Sequence, residues 1–167
     1  MIIPMIIMEG LALSFIVLVA CVVGIANSPV GLVCLYEKEV WNRCIENGLT
    51  TEKEIKKNAN KFKLFCLPLM MAIVLISVYG INCADTFFEG FWQMSVILLI
   101  EGLFDRLFID WYWVGKTKAW DIEGTEDLKP YIYGKTLIGK WIFTLVGYPA
   151  IAAIIAGVAV FIRRSIL

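Results

Sequence analysis

The chain has 167 residues, of which 60% are hydrophobic and only 18% are charged, with 15 basic and 15 acidic side chains. A soluble domain carries about a quarter charged residues, because polar groups must cover its surface, so the composition excludes an ordinary soluble domain. The zero net charge and the lack of a basic stripe argue against nucleic acid as a partner. Without histidine the commonest metal ligand is missing, and we predict no metal and no cofactor.

The first apolar run, residues 2–36, is too long for one straight bilayer crossing, which takes about twenty residues. A break is predicted at Ser28-Pro29, because serine caps helices and proline favours their first position. The sequence therefore predicts a first span over about residues 5–27 and a second, amphipathic helix over 29–47. The run lacks the basic start and the cleavage site of a signal peptide, so we expect it to be retained.

A helix stop and a helix start follow each other closely after this second helix. Gly48 tolerates the left-handed conformation that ends helices. Thr51 and Glu54 have the spacing of a capping box, which begins a new helix. Residues 29–63 therefore read as a helical hairpin at the membrane surface, and its second arm leads directly into a second span over about 64–82.

Two further spans are predicted, over about residues 91–114 and 140–162, separated by a polar connection over 115–139. The predicted fold class is an all-α integral membrane protein. It is a single membrane domain over 1–167, built as a bundle of about four transmembrane helices with the helical hairpin between spans one and two.

The distribution of Lys and Arg predicts how the bundle is oriented. The connections before the second span and before the fourth span carry about a dozen basic residues, whereas the short connection at 84–90 carries none. Because cytoplasmic segments are enriched in Lys and Arg, we expect the first and third connections to be cytoplasmic. Both termini are then predicted on the outer side of the cell membrane. Arg163 and Arg164 favour the opposite orientation of the C-terminus.

The third span holds ionisable groups at membrane depth, and each costs about 2.5–3.5 kcal/mol at the centre of a span. Glu101 and Asp105 are four residues apart and share one helical face, while Arg106 and Asp110 share a face turned by about 100°. Arg106 can neutralise only one neighbouring aspartate. The sequence therefore predicts an acidic excess near Glu101, where two close carboxylates would share a proton or bind a cation.

Alternatives remain for each of these groups. Glu101, Asp105 and Arg106 could instead form a polar seam that sets helix register without chemistry. Glu9, in the outer part of span one, either faces the interface or extends an acidic path toward Glu101.

For the aromatic residues and the small residues, the preferred interpretation is a structural role. Trp111, Trp113 and Trp120 are expected to anchor the protein at the headgroup layer, with a lipid pocket beside Asp110 as the alternative. In span four, small residues recur at four-residue spacing, and we expect the closest helix contact there through Ala153 and Gly157.

The leading functional hypothesis is the binding or passage of a cation, a proton or a small polar solute at Glu101 and Asp105, with Arg106 as counter-charge. The first alternative is a non-catalytic accessory or scaffold subunit whose partner is a second copy or another membrane subunit. The second alternative is a membrane enzyme that acts on a lipid near Asp110 and Trp113. The lipid bilayer is the common partner in all three.

Overall fold

The computed structural model describes residues 2–166, and this part of the chain is all-helical, without strands. It contains four helices that are long and apolar enough to cross a membrane, which we number first to fourth. Their bounds are Ile2–Ile25, Glu52–Ile81, Phe87–Val114 and Gly134–Ser165. The predicted all-helical class and the predicted four apolar helices are confirmed.

These long helices combine α-helix with shorter stretches of π-helix. The α-helices are α1 (Ile2–Ile25), α2 (Lys38–Glu46), α3 (Glu52–Leu75), α4 (Phe87–Phe104), α5 (Gly134–Ile142) and α6 (Tyr148–Ile166). Stretches of π-helix extend α3, extend α4 and join α5 to α6, over Ile76–Ile81, Asp105–Val114 and Phe143–Gly147. Short 3-10 helices occupy Pro29–Leu35, Lys118–Trp120 and Glu126–Leu128.

The third long helix is the centre of the bundle, because α4 packs against α1 on one side and α6 on the other. The contact with α1 depends on Gly10, where an added Cβ would lie 2.8 Å from Ile100 Cβ. A buried cluster that includes Leu13, Val74 and Met94 fills the space between the helices at this level. The interior of the bundle is therefore closely packed around α4.

The first and third connections pack on each other at one end of the bundle, and we call residues 29–51 and 115–133 the cap. The Glu37 N–H donates to the Tyr131 carbonyl at 3.0 Å, and Arg43 pairs with Asp127 at 3.3 Å. The cap has its own buried aromatic core, in which Tyr36 and Tyr131 lie 5.1 Å apart. It closes one end of the bundle over the ends of the long helices.

The opposite end of the bundle gathers the second connection and the two chain ends. Asn82 donates to Glu9 at 3.0 Å, and Arg163 pairs with Asp85. Two polar links therefore tie the chain ends to the connection at 82–86.

Local signals in the predicted hairpin are confirmed. Gly48 has φ +71°, and Leu49 N–H donates to the Cys44 carbonyl at 3.0 Å, which ends α2. Thr51 and Glu54 form the predicted capping box at the start of α3. A second capping box, which the sequence reading did not include, starts α4 at Thr86.

The predicted helix over 29–47 is in fact divided into a 3-10 helix and α2. The division falls at Tyr36, which has an extended backbone with ψ 177°. Tyr36 is held there because its ring is buried against Tyr131 and Trp120. These partners lie far along the chain, so local helix signals could not reveal the break.

The packing prediction for the fourth helix is corrected by one residue. Ala152 and Ala156 are fully buried, whereas Ala153 and Gly157 are partly exposed. A Cβ added at Gly157 would meet nothing within 4 Å, while one added at Gly90 would lie 3.4 Å from Ala156 Cβ. The two stripes of small residues are adjacent on the helix, and spacing alone does not decide which one faces the bundle.

Gly102 is expected to tolerate substitution poorly. Its added Cβ would lie 2.7 Å from Thr144 Cγ2 and 2.8 Å from Tyr148 Cε2, so Gly102→Val should force the third and fourth helices apart. We expect a loss of stability of about 1–3 kcal/mol, as for other overpacked cores. The measurement is unfolding in detergent, with Gly157→Val as the matched control. Equal losses in the two variants would contradict this packing.

Candidate functional site

Asp105, Arg106 and Asp110 lie in the π-helical stretch of the third helix, Asp105–Val114. In a π-helix the backbone bonds join residues i and i+5, so residues five apart lie on one face. Asp105 and Asp110 therefore share a face, which differs from the arrangement expected for an α-helix. π-helical turns are rare and occur frequently at functional sites.

Four side chains form a continuous chain of alternating charge at this face, which we call the charged cluster. Arg106 Nη2 donates to Asp105 Oδ2. Arg106 Nη1 lies 3.0 Å from Asp110 Oδ2, an ion pair without hydrogen-bond alignment. Lys140 Nζ, from the fourth helix, donates to Asp110 Oδ1 at 2.9 Å. Two bases thus balance two acids, so the cluster has no net charge.

The charged cluster is buried. The exposed side-chain fraction is 7% for Arg106, 5% for Asp110, 21% for Lys140 and 22% for Asp105. Charges removed from water are tolerated only when they are paired and hydrogen-bonded, and removing one partner is costly. The charged form of each side chain in the cluster is therefore stabilised by its neighbours.

Glu101 belongs to a separate interaction one turn away. Its side chain is 1% exposed and accepts a hydrogen bond from the Tyr148 hydroxyl at 2.9 Å. The sequence reading pairs Glu101 with Asp105, but the structure gives each carboxylate its own partner, Tyr148 and Arg106. Glu101 thus joins the third helix to the fourth, beside the charged cluster.

A cavity of about 300 Å³ lies between the first, third and fourth helices and the cap. All four residues of the charged cluster line it. Thr144 and Tyr148 add hydroxyl groups, and the remaining wall is mainly apolar, with Val17, Ile109 and Trp120 among its residues. The site therefore combines a balanced set of charges with a hydrophobic enclosure, as small-molecule sites commonly do.

Hydrogen-bond donors at this cavity outnumber the acceptors they meet. Among residues 2–166, no group bonds to Arg106 Nε or to the Tyr36 hydroxyl, and both are buried. Burial raises the pKa of Tyr36 well above its ordinary value, so this hydroxyl keeps its proton. Lys140 carries three donors and makes one hydrogen bond. Buried polar groups without partners are rare in folded proteins, and the residues that carry these donors line the cavity.

The predicted interface tryptophans lie in three different environments. Trp111 is 64% exposed and has Lys116 Nζ 6.0 Å from its ring centroid. Trp113 is partly buried. Trp120 is only 1% exposed, and its ring stands edge-on to Trp113 at 5.0 Å. The anchor prediction is corrected for Trp120, which is a core residue of the cap because the third connection folds back onto the first.

Glu9 lies away from the cavity. Its Oε2 accepts a hydrogen bond from Asn82 at the end of the bundle opposite to the cap, and it is not among the cavity-lining residues. The suggested acidic path from Glu9 to Glu101 therefore has no counterpart in the described contacts. Glu9 instead helps to hold the second connection.

The sequence reading missed Lys140, Tyr36, Thr144 and Tyr148 as site residues. A signal existed for Lys140, because it is followed by the apolar run Trp141-Ile142-Phe143, where a base needs a partner. It was counted instead among the charges of the third connection. Nothing in the sequence distinguishes Tyr36 or Tyr148 from the other aromatic residues.

The described residues, 2–166, contain no group of three or more acidic or cysteine side chains that could hold a metal ion. The candidate site is the cavity at the charged cluster. No protein-family model, curated protein or solved structure matches the chain.

Proposed function

We propose that the protein is a multi-pass membrane protein that binds a small polar solute in the cavity at the charged cluster. The observation that supports this is the cavity itself, since Arg106 and Tyr36, which each carry an unpartnered donor, line it together with Asp105, Asp110 and Lys140. Ionisable groups at membrane depth are costly and are usually retained for function.

Charge balance favours a polar solute over a bare cation as the ligand of the charged cluster. Asp110 is already held by two bases, and Asp105 is held by Arg106. A cation would have to displace one of these bases from a buried ion pair, which is unfavourable. A solute with oxygen acceptors can instead bind the free donors and leave every ion pair intact.

The membrane topology is part of the same proposal. The cap carries basic residues from both connections, which favours a cytoplasmic location by the positive-inside rule. The second connection and both chain ends, which share the other end of the bundle, then face outward. The cavity opens between the cap and the long helices, at the cytoplasmic side of the bilayer.

Cysteine labelling is expected to show this orientation directly. Cys83 is exposed in the second connection, so an impermeant maleimide should label it in intact cells. Lys57→Cys, an exposed position on the cap side of α3, should react only after the cells are permeabilised. Cys44 is the internal control, because it is fully buried and burial raises the pKa of its thiol. Labelling of Lys57→Cys but not Cys83 in intact cells would reverse the orientation.

An accessory or scaffold role is the second candidate. Glu101 and Tyr148 already join two helices in the manner of a polar seam. Ala153 and Gly157 leave a face of the fourth helix uncovered, onto which a second copy or another membrane subunit could pack. On this alternative the cavity is dry and the charged cluster only holds the helices in register.

Radiolytic hydroxyl labelling separates the two candidates, because it modifies side chains that water reaches. Tyr36 and Tyr131 form a matched pair, since both are buried in the cap but only Tyr36 lines the cavity. We expect Tyr36 to be modified faster than Tyr131. Equal, slow modification of both tyrosines would show a dry cavity and would support the scaffold alternative.

A further inference from the structure

A second cavity, of about 340 Å³, lies between the second, third and fourth helices, and we call it the apolar groove. Its walls are almost entirely hydrocarbon and thioether, from the second helix around Pro68, from Leu98 and from Ile151. Met70 and Met71 belong to this wall, and methionine adapts to occupants of irregular shape. The groove is therefore suited to a flexible apolar chain.

The apolar groove and the charged cavity share two residues, Phe143 and Tyr148. The π-helical turn Phe143–Gly147 explains why, because residues five apart lie on one face of such a turn. Their rings stand edge-on with centroids 5.1 Å apart. The hydrocarbon-lined space and the space lined by charges thus adjoin at one pair of aromatic side chains.

The groove also reaches the outer surface of the bundle. Leu67 is 49% exposed and Phe143 is 48% exposed, and both line the groove. On a protein that spans the bilayer this surface meets lipid, so a lipid chain can enter the groove sideways without crossing water.

We infer that the two cavities form one site for a single-chain lipid, whose hydrocarbon chain fills the apolar groove and whose oxygen-bearing head lies at the charged cluster. This inference rests on the proposed function, because the head is the polar solute of the charged cavity. It adds the class of ligand, an amphipathic molecule with one chain, and the route by which that ligand arrives.

The chemistry of the head follows from the free hydrogen-bond donors. Arg106 Nε, the Tyr36 hydroxyl and the remaining Lys140 protons can donate to carbonyl, hydroxyl or carboxylate oxygens. A quaternary ammonium head accepts no hydrogen bond and would leave these buried donors unsatisfied. We therefore expect glycerol ester and carboxylate heads to bind and a trimethylammonium head of equal chain length to fail.

Photocrosslinking in nanodiscs tests the position of the chain. The probe is a monoacylglycerol with a diazirine at the end of its chain, and the expected crosslinks fall on peptides containing Met70, Met71 or Ile151. Ile151→Trp fills the groove and should lower the yield about tenfold, which corresponds to about 1.4 kcal/mol of binding. Ile154→Trp is the matched control, because Ile154 is 68% exposed and lies outside the groove.

Two further variants test whether head and chain bind together. Lys140→Met should also lower crosslinking in the groove about tenfold, although it changes no groove residue. Tyr36→Phe breaks no ion pair and removes a donor that has no partner, so it should fold normally and lower the yield about two- to tenfold. Unlabelled monoacylglycerol and fatty acid should compete with the probe, whereas an alkyltrimethylammonium should not.

The outcomes distinguish this inference from the proposed function on which it rests. The crosslinking yield in the groove could be the same in Lys140→Met and Tyr36→Phe as in the native protein, and independent of the competitor's head group. The crosslinks would then report bulk lipid only, and the inference would be overturned. If Tyr36 is water-accessible but no groove peptide is crosslinked, the polar site stands and its lipid ligand is rejected. If Tyr36 is modified as slowly as Tyr131, the proposed function fails first.

Discussion

Replacing Arg106 with leucine is expected to destabilise the protein by about 3–5 kcal/mol, the usual cost of removing one partner of a buried ion pair. Arg106 contacts both Asp105 and Asp110 and is only 7% exposed. Without it, Asp105 loses its partner and Asp110 retains only Lys140. A buried carboxylate cannot recover that loss from water, so the variant should unfold at markedly lower denaturant in detergent.

Two comparisons make the result for Arg106 specific. Arg163→Leu breaks an exposed pair with Asp85, whose side chains are 50% and 63% exposed, and should cost at most about 1 kcal/mol. Adding Asp105→Asn to Arg106→Leu should recover part of the loss, because it removes the stranded charge. If Arg106→Leu is no worse than Arg163→Leu, the charged cluster is not a buried ion-pair network.

The sequence was sufficient for the fold at the level of four long apolar helices. Runs of about twenty apolar residues have few structural alternatives in a bilayer. Local chemistry also predicted the helix stop at Gly48 and the capping box at Thr51, because both depend on neighbouring residues only. What the sequence could not show was the division of the second helix at Tyr36, since the residues that cause it lie near position 131.

The candidate site was predicted in part. The third helix and its ionisable residues were found from their cost in a membrane, but their mutual arrangement assumed 3.6 residues per turn. The π-helical stretch that begins at Asp105 changes which residues share a face, and no local sequence signal predicts it. Lys140 changed the chemistry as well, because it pairs with Asp110 and so balances the charges of the cluster, whereas Glu101 has a hydroxyl partner and no base.

The cap illustrates why tertiary contacts limit such predictions. Trp120 has the composition and position of an interface anchor, yet it is buried among Tyr36 and Trp113. The third connection is polar overall, but it folds back because the Tyr131 hydroxyl accepts a hydrogen bond from Ile122 N–H at 3.1 Å and the Tyr131 ring packs against Tyr36. An aromatic residue near the end of a span can therefore lie at the membrane interface or in a buried core. The position of its packing partners decides which.

Lys140→Met is expected to lower stability by about 3–5 kcal/mol. The physical reason is that Asp110, which is 5% exposed, loses one of its two bases. The cluster then carries an unbalanced negative charge away from water. Adding Asp110→Asn should restore most of the stability, because Asp105 and Arg106 remain a balanced pair.

The same two variants separate the structural role of Lys140 from its role in binding. The double variant Lys140→Met with Asp110→Asn should fold well yet crosslink the monoacylglycerol probe about tenfold less than the native protein, because the ammonium donors are gone. The measurements are denaturant unfolding and crosslinking yield on the four members of the cycle, with a coupling energy of about 0.5–3 kcal/mol expected between the two sites. Strictly additive stabilities would mean that Lys140 and Asp110 do not act as a pair. A double variant that is stable and binds the probe fully would show that Lys140 holds the helices together without contacting the ligand.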